Sequence, residues 1–276
     1  MFRSIAHGLR SRSGETKAPT RPDAAVPGGV VAYAIGDIHG CANLLAKLIE
    51  QIANEAAERP GDKVSLVCLG DYVDRGPDSR GVIDMLLKLS ASERVDCCFL
   101  KGNHDQLLLD FLENPEVGPE WCNFGGRETL ACYGAPLPYQ RSGPEDWAAI
   151  QDRFRELLPT EHLTFLQGLI PSHQLGDYFF AHAGARPGVR LEDQREEDLL
   201  WIRQPFLKHP DPFEKIVVHG HTPAPDPHLD GRRIGLDTGA YATGVLSSIR
   251  LEKRDRRLVQ VRRAVGGELT VSSQEV

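Results

Sequence analysis

No run in the 276 residues approaches the roughly 18 consecutive apolar positions that a membrane-spanning helix needs. The basic N-terminal stretch MFRSIAHGLRSRSGETK is followed by no apolar segment, so the pattern of a secretory signal is missing as well. The six cysteines, Cys41, Cys68, Cys97, Cys98, Cys122 and Cys132, show no CxxC spacing of the metal-binding type, and most have apolar neighbours. They read as reduced core residues, and together with the two preceding absences they place the chain in the cytoplasm. A basic excess is also lacking: 32 Lys and Arg against 39 Asp and Glu leave a net charge of −7. Neither a nucleic-acid nor a membrane partner is therefore expected, and any anion must be gripped locally. At 41% hydrophobic and 26% charged the composition excludes disorder, and the length fits one large α/β domain or two small ones.

Residues 1–29, rich in Ser, Pro, Gly and Arg, have no periodicity, which predicts a flexible basic arm. From Val30 onward, within a domain expected over 30–276, strand-length apolar runs alternate with segments of helical spacing such as Leu44, Leu45, Leu48, Ile49 and Ile52. That alternation is βαβ organisation. Residues 119–171 read as helical, in EDWAAIQDRFRELL and TEHLTFLQGL, and form a candidate insertion or cap over a site. Toward the end, SSIRLEKRDRRLVQVRR alternates apolar and charged residues around a polar turn, predicting a hairpin with its basic residues on a solvated face.

Five strand-like runs end abruptly in Asp, His or Asn beside Gly: VVAYAIGDIHG, VSLVCLGDYVDRG, VDCCFLKGNHD, DYFFAHAG and KIVVHGHT. In open α/β sheets, ligands bind beyond the carboxyl ends of the strands, where residues from separate strands converge. This gathers Asp37, His39, Asp71, Asp74, Asn103, His104, His182, His219 and His221 as candidates for one site. Imidazole with carboxylate and amide oxygen is a donor set for first-row divalent ions, and the set is too large for one ion. A two-metal centre sharing a carboxylate would use it and would generate a bridging hydroxide for attack on phosphorus. Asp37/His39 and His219/His221 are also i, i+2 pairs, which share a side in extended chain. Taken singly, any of these residues is more simply a turn or a satisfied structural histidine. Five clusters in the same setting are not. His7, His162, His173, His209 and His228 lack that setting and read as surface or structural.

In that order, GDIHG, GDYVDRG, GNHD, HAG and HGHT resemble the calcineurin-like metallophosphoesterases. GDYVDRGPDS resembles their phosphoprotein phosphatase branch, and FGGRETLACYG, HAGARPGVRLEDQREEDLLWIRQPFL, HGHTP and DTGAYATG are similar to bacterial serine/threonine protein phosphatases. The resemblance implies an α/β fold, a β-sandwich of two mixed sheets flanked by helices in four αββα layers. It implies a metal-dependent hydrolase of phosphoserine and phosphothreonine in a phosphoprotein or phosphopeptide, working by direct attack of a metal-bridging hydroxide without a phosphoenzyme. It implies two divalent ions, often Mn²⁺ in bacterial relatives, with iron or zinc suited to the same ligands. Asp37, His39 and Asp71 would hold the first, with His221 at the position that serves the same ion in many relatives. Asp71, Asn103, His182 and His219 would hold the second. Arg75, Arg203 and Asn103 match phosphate-binding positions, and His104 matches a general acid oriented by Asp74. Such an acid contributes roughly 10²- to 10⁴-fold.

The main rivals are the symmetrical diadenosine tetraphosphate hydrolases and other small-molecule phosphoesterases, which share all five clusters. Residues 119–171 and the loop after Trp201 would shape the wall that separates them. A nuclease would need a basic track. A non-catalytic metal-binding protein would be expected to lose the acid or an arginine first, yet Asp74, Arg75, His104 and Arg203 are all present.

Overall fold

The alternation of strand-length and helix-spaced runs is realised along the chain, whose computed structural model describes residues 23–59 and 61–276. Its strands are β1 (Val30–Ile35), β2 (Lys63–Cys68), β3 (Val95–Phe99), β4 (Ser172–Leu175), β5 (Tyr178–Ala181) and β6 (Ile216–His219). They continue as β7 (His228–Leu229), β8 (Arg233–Gly235), β9 (Val245–Glu252), β10 (Asp255–Arg263) and β11 (Leu269–Glu275). The helices are α1 (Ala42–Ala57), α2 (Ser79–Ser90), α3 (Asn103–Glu113), α4 (Gly118–Trp121) and α5 (Arg127–Cys132). After these come α6 (Pro144–Leu157), α7 (Thr160–Gln167), α8 (Glu196–Trp201), α9 (Gln204–Leu207) and α10 (Ala240–Thr243).

Two mixed sheets form, a six-stranded one in the order β11-β10-β9-β1-β2-β3 and a five-stranded one in the order β4-β5-β6-β8-β7. Alternation along β1 assigns the layers. Val31, Tyr33 and Ile35 pack on α1 to α7, while Ala32 and Ala34 face the second sheet with Tyr178, Phe180, Ile216 and Val218. The far side of the second sheet, through Phe179, Ala181 and Val217, meets Leu199 of α8 and Phe206 of α9. This is the four-layer αββα sandwich. Each buried Phe or Leu in these layers contributes roughly 1.5–3 kcal/mol by leaving water.

β1, β2 and β3 run parallel, as do β5 and β6, so the five polar strand ends emerge at one rim. The predicted C-terminal hairpin is β9 and β10, paired antiparallel, and β11 extends it. One expectation there changes: Arg250 is buried, ion-paired to Glu55 and Glu252, because β9 lies between β1 and β10 rather than at a solvated edge.

The basic arm predicted over 1–29 lies outside the described residues as far as residue 22. Its last part is built into the fold: Ala24 and Val26 are buried, and Val26 N–H donates to Lys253 O at 2.9 Å. Residues 119–171 are helical as expected, and Trp121, Phe154 and Leu166 sink into the core of the first sheet. The six cysteines form no disulfide. No helix among the described residues is long and apolar enough to cross a membrane.

Candidate metal centre

Eight of the nine polar candidates meet at the rim. Asp37 and His39 follow β1, Asp71 and Asp74 follow β2, Asn103 and His104 open α3 behind β3, His182 follows β5, and His221 lies just beyond β6. All are buried. Extended alternation does not bring them together. His39, Asp71, Asp74, Arg75 and His221 all have φ between 43° and 73°, and they are five of the six non-glycine residues with positive φ among the described residues. Such conformations cost of order 1–3 kcal/mol each and persist only where the surroundings overdetermine them. Here backbone contacts do so: Ile38 and His39 N–H donate to Asp71 O, and His221 N–H donates to the Asp37 carboxylate at 3.0 Å. The packing leaves no room for side chains at two glycines. A Cβ on Gly102 would lie 2.1 Å from Asp71 Oδ1, and one on Gly220 1.9 Å from Asp37 Oδ1.

Asp71 is the centre of the cluster. Its Oδ2 lies 3.4 Å from His39 Nε2 and 3.4 Å from His182 Nε2. One ligand atom each from His39, Asp71 and His104, and likewise from Asp37, Asp71 and His182, come within 4.8 Å of one another. Second contacts set the tautomers. His39 Nδ1 is 2.8 Å from Val73 O, and His182 Nδ1 is 2.9 Å from Leu69 O. A carbonyl only accepts, so both rings carry their proton on Nδ1 and aim an Nε2 lone pair inward. The His182 lone pair then faces Asn103 Oδ1 at 2.9 Å as well as the Asp71 carboxylate. Acceptors turned toward one another call for a cation between them.

Electrostatics agree. Burial first, then Asp237 and Asp71, hold the Asp37 carboxyl well above its usual range, and burial pushes Asp71 up to about 6. Burial keeps His39 and His182 neutral, far below the usual imidazole value. Neutral imidazoles and buried carboxylates are the mixed N/O donors of a divalent site, and the cost of burying those carboxylates as anions is what such an ion offsets. Nearby cations are Arg75, whose Nη1 touches His39 Nε2 at 3.0 Å, and Arg203, whose Nε touches His221 Nε2 at 3.1 Å.

The two histidines of HGH part company, contrary to the sequence expectation. His221 Nδ1 lies 2.8 Å from Asn103 Oδ1, and its ring is 5.1 Å from that of His182. His219 still belongs to β6, and its ring contacts are Phe206, Arg233 and Gly220 O rather than the cluster. The reason is the turn: Gly220 and the left-handed His221 (φ 64°) reverse the side between the two positions.

His104 stands beside the cluster with Nδ1 2.7 Å from Asp74 Oδ2 and its own N–H donating to Asp71 Oδ1 at 3.0 Å. Burial opposes charge on this ring, but Asp71 and then Asp74 outweigh it and raise its pKa above the usual imidazole value. Asp74 is held from a direction the sequence did not reveal, because Trp121 Nε1 donates to it at 2.9 Å and Thr129 Oγ1 at 2.6 Å. Two more carboxylates were missed. Asp105 accepts N–H bonds from Asp71, Tyr72 and Gly102, fixing the β2 and β3 ends together, and Asp237 crowds Asp37. Asp105 had a readable signal in the final letter of GNHD, a carboxylate in the first turn of a helix. Around the mouth, exposed rings of Phe124 (42%), Trp201 (39%) and Tyr241 (41%) stand over His104, His221 and His39. The Tyr241 ring also lies 5.0 Å from the Arg75 guanidinium. A groove of about 330 Å³ opens beside Arg75, lined among others by Asn123, Phe124, Arg127 and Tyr241.

The family model for calcineurin-like phosphoesterases matches residues 31–256. Among curated proteins, the chain is 27% identical over 244 residues to a bis(5'-nucleosyl)-tetraphosphatase PrpE [asymmetrical] of Oceanobacillus iheyensis, covering 80% of this chain and 88% of that one. It is 24% identical over 237 residues to the protein of the same name from Anoxybacillus flavithermus, covering 78% and 88%. Among solved structures, it superimposes on one described as a candidate diadenosine tetraphosphatase with TM-score 0.56 and 20% identity, covering 93% and 96%. A cold-active protein-tyrosine phosphatase from a psychrophilic Shewanella gives TM-score 0.53 and 17% identity, covering 93% and 85%; these two structures establish likeness of fold.

Proposed function

The chain belongs to the calcineurin-like phosphoesterases, and on that premise we propose that it is a two-metal hydrolase of bis(5'-nucleosyl) polyphosphates. Asp37, His39 and Asp71 would hold one ion in this reading, and Asp71, Asn103, His182 and His221 would hold the other, with His221 in the place expected for His219. The observation that carries the substrate is the rim. Exposed Phe124, Trp201 and Tyr241 surround a cluster flanked by Arg75 and Arg203. Nucleobases stack on aromatic faces and phosphate chains take planar guanidiniums, so the combination matches a nucleotide better than a seryl side chain. The names of the curated relatives support the same substrate.

Bound divalent ions, with Mn²⁺ as the species proposed, supply a water nucleophile at neutral pH and offset phosphoryl charge. The chain's own residues do the rest. Arg75, whose Nη1 lies 3.0 Å from His39 Nε2, would be free to turn to a phosphoryl oxygen with that nitrogen given to an ion. Arg203, whose Nε lies 3.1 Å from His221 Nε2, is placed to exchange that contact for a second phosphoryl oxygen. His104, with Nδ1–H held by Asp74, keeps its transferable proton on Nε2 and delivers it to the departing oxygen. Phosphoryl passes to water in one step.

A second reading, hydrolysis of phosphoserine and phosphothreonine in a phosphoprotein, is favoured by the His104–Asp74 pair. An alkoxide must be protonated as it leaves, whereas a departing nucleotide phosphate needs little help. A side-by-side assay of Mn²⁺-loaded chain on diadenosine tetraphosphate and a phosphoserine peptide decides between them. The first reading expects kcat/KM to favour the dinucleotide by about tenfold or more, near 1.4 kcal/mol in transition-state binding. A ratio favouring the peptide installs the second, and no turnover of either by the two-ion form removes both.

A further inference from the structure

The assignment above leaves His219 without a part; unlike buried His162, which is held by Tyr133 and Asp84, it stands on the strand that ends at the site. Arginine is only a donor, so the 3.0 Å approach of Arg233 Nη1 makes His219 Nε2 an acceptor. The ring proton then sits on Nδ1 and is donated to Gly220 O at 3.0 Å. Both ring nitrogens are engaged away from the cluster. The same ring meets Phe206 edge to face, centroids 5.0 Å apart at 85°, and the Arg233 guanidinium lies 6.0 Å from that phenyl.

Phe206 belongs to α9, a helix of four residues. One isolated turn has no stability of its own, so its position must come from packing. Phe206 is buried and is the apolar anchor. The residue leading into the turn is Arg203, whose carbonyl accepts Phe206 N–H at 3.0 Å and Leu207 N–H at 2.9 Å. At φ −131° and ψ −102° Arg203 is outside the helical well, and it sends Nε to His221 Nε2 at 3.1 Å. An unbroken set of contacts thus runs from Arg233 and His219 through Phe206 to Arg203.

We infer that His219 and Arg233 are a positioning pair that seats Phe206 and so sets the Arg203 guanidinium over the second-sheet side of the site. His219 Nδ1–H at the same time holds the Gly220 carbonyl in the turn that carries His221. Arg203 is placed by a two-residue clamp under its helix, with His221 as the partner on its guanidinium. The guanidinium stays free to exchange His221 for a phosphoryl oxygen while its base stays fixed. This rests on the reading of Arg203 as a phosphate-gripping residue.

The test is a double-mutant cycle on the full Mn²⁺-loaded chain, with diadenosine tetraphosphate and p-nitrophenyl phosphate as substrates. His219→Phe keeps an aromatic ring on Phe206 and removes both hydrogen bonds. It is expected to raise KM about fivefold to tenfold with kcat within about threefold. In the presence of Arg203→Ala it is expected to add no more than about twofold, because both changes remove the same interaction. A role in stability alone lowers the melting temperature and leaves the two losses multiplicative, and that outcome overturns the inference. Arg233→Met, which leaves the His219 ring in place, should repeat the pattern more weakly and serves if His219→Phe does not fold. Failure of the two readings is separable. An Arg203→Ala chain with unaltered kcat and KM brings down the phosphate reading and the clamp with it. A damaging Arg203→Ala with multiplicative doubles brings down the clamp alone.

Discussion

The two sheets deliver opposite chemistries to one cluster. From the ends of β1, β2 and β3 come the carboxylates Asp37, Asp71 and Asp74, the amide of Asn103 and the imidazoles of His39 and His104. From β5, β6 and α9 come only His182, His221 and the guanidinium of Arg203. Four of the five left-handed site residues, His39, Asp71, Asp74 and Arg75, are also on the first side. The first side is therefore where strain and like charge accumulate, and it holds the proton donor. The second side has no carboxylate among these residues, and supplies imidazole lone pairs and the Arg203 cation. The labour is divided: the first sheet creates a site that wants cations, and the second completes their coordination and adds Arg203 to the first side's Arg75 for the phosphate.

Asp71 is the residue both sides touch, and the largest effect is expected there. Asp71→Asn removes one negative charge between His39 and His182. It should cut kcat/KM by at least about 10³-fold, the scale of losing a principal stabilising group. Bound metal measured by elemental analysis should fall below two ions per chain. Activity within about tenfold of the parent would mean that the two sides do not share a centre.

Next in size is His104→Asn, which acts on the first side alone. Turnover of an alkyl phosphate should fall roughly 10²- to 10⁴-fold, and that of an aryl phosphate, whose leaving group needs less protonation, much less. Arg203→Ala, on the second side, should lower both substrates alike. Equal losses from His104→Asn on the two substrates would remove its role as acid.

Much of this arrangement was legible in the sequence, and the failures share a cause. The five strand ends were readable because each is local: an apolar run, a glycine and a polar cluster in consecutive letters. The His104–Asp74 pair and the hairpin of β9 and β10 followed from motif and alternation. His162, expected to be structural, is buried between Tyr133 and Asp84. His219 and His221 could not be told apart by spacing, because their sides are set by the turn at Gly220, and that turn depends on Asp37, 184 positions away. Trp121 and Thr129 reach Asp74 across 47 and 55 positions, contacts that no local pattern announces. Arg250 looked solvated because alternation shows which residues share a face but not what covers it.

A pH dependence separates the sides more gently. Asp71 is raised from 3.8 to about 6, and Asp37 is raised with it. A carboxyl with a raised folded pKa favours the folded chain while it is protonated. That contribution is full below about pH 4 and is lost as pH rises through about 6. The ion-free chain should therefore give up thermal stability from this source over that interval. Added Mn²⁺ should raise the melting temperature more near pH 7 than near pH 5, because protons and ions compete for the same oxygens. Melting curves with and without Mn²⁺ check this. His182→Asn should leave the pH trend in place, while Asp71→Asn should flatten it.

The smallest expected effect comes from outside both sheets. Trp121→Phe keeps the buried ring of α4 but deletes the indole N–H that donates to Asp74. A hydrogen bond to a charged group is worth about 1.5–3 kcal/mol, so the melting temperature should fall by several degrees. The chemical consequence has a definite sign. Asp74 deprived of a donor is a less stabilised anion and holds the His104 imidazolium more tightly. The basic limb of the pH–rate profile for an alkyl phosphate should then move upward, and turnover below that limb should drop a few-fold because the proton leaves less readily. An aryl phosphate should register neither change. A lowered melting temperature with both profiles unmoved would make α4 mere packing. The upward shift would instead show that the proton chemistry of the first sheet is tuned by helices that the strand pattern gives no reason to consult.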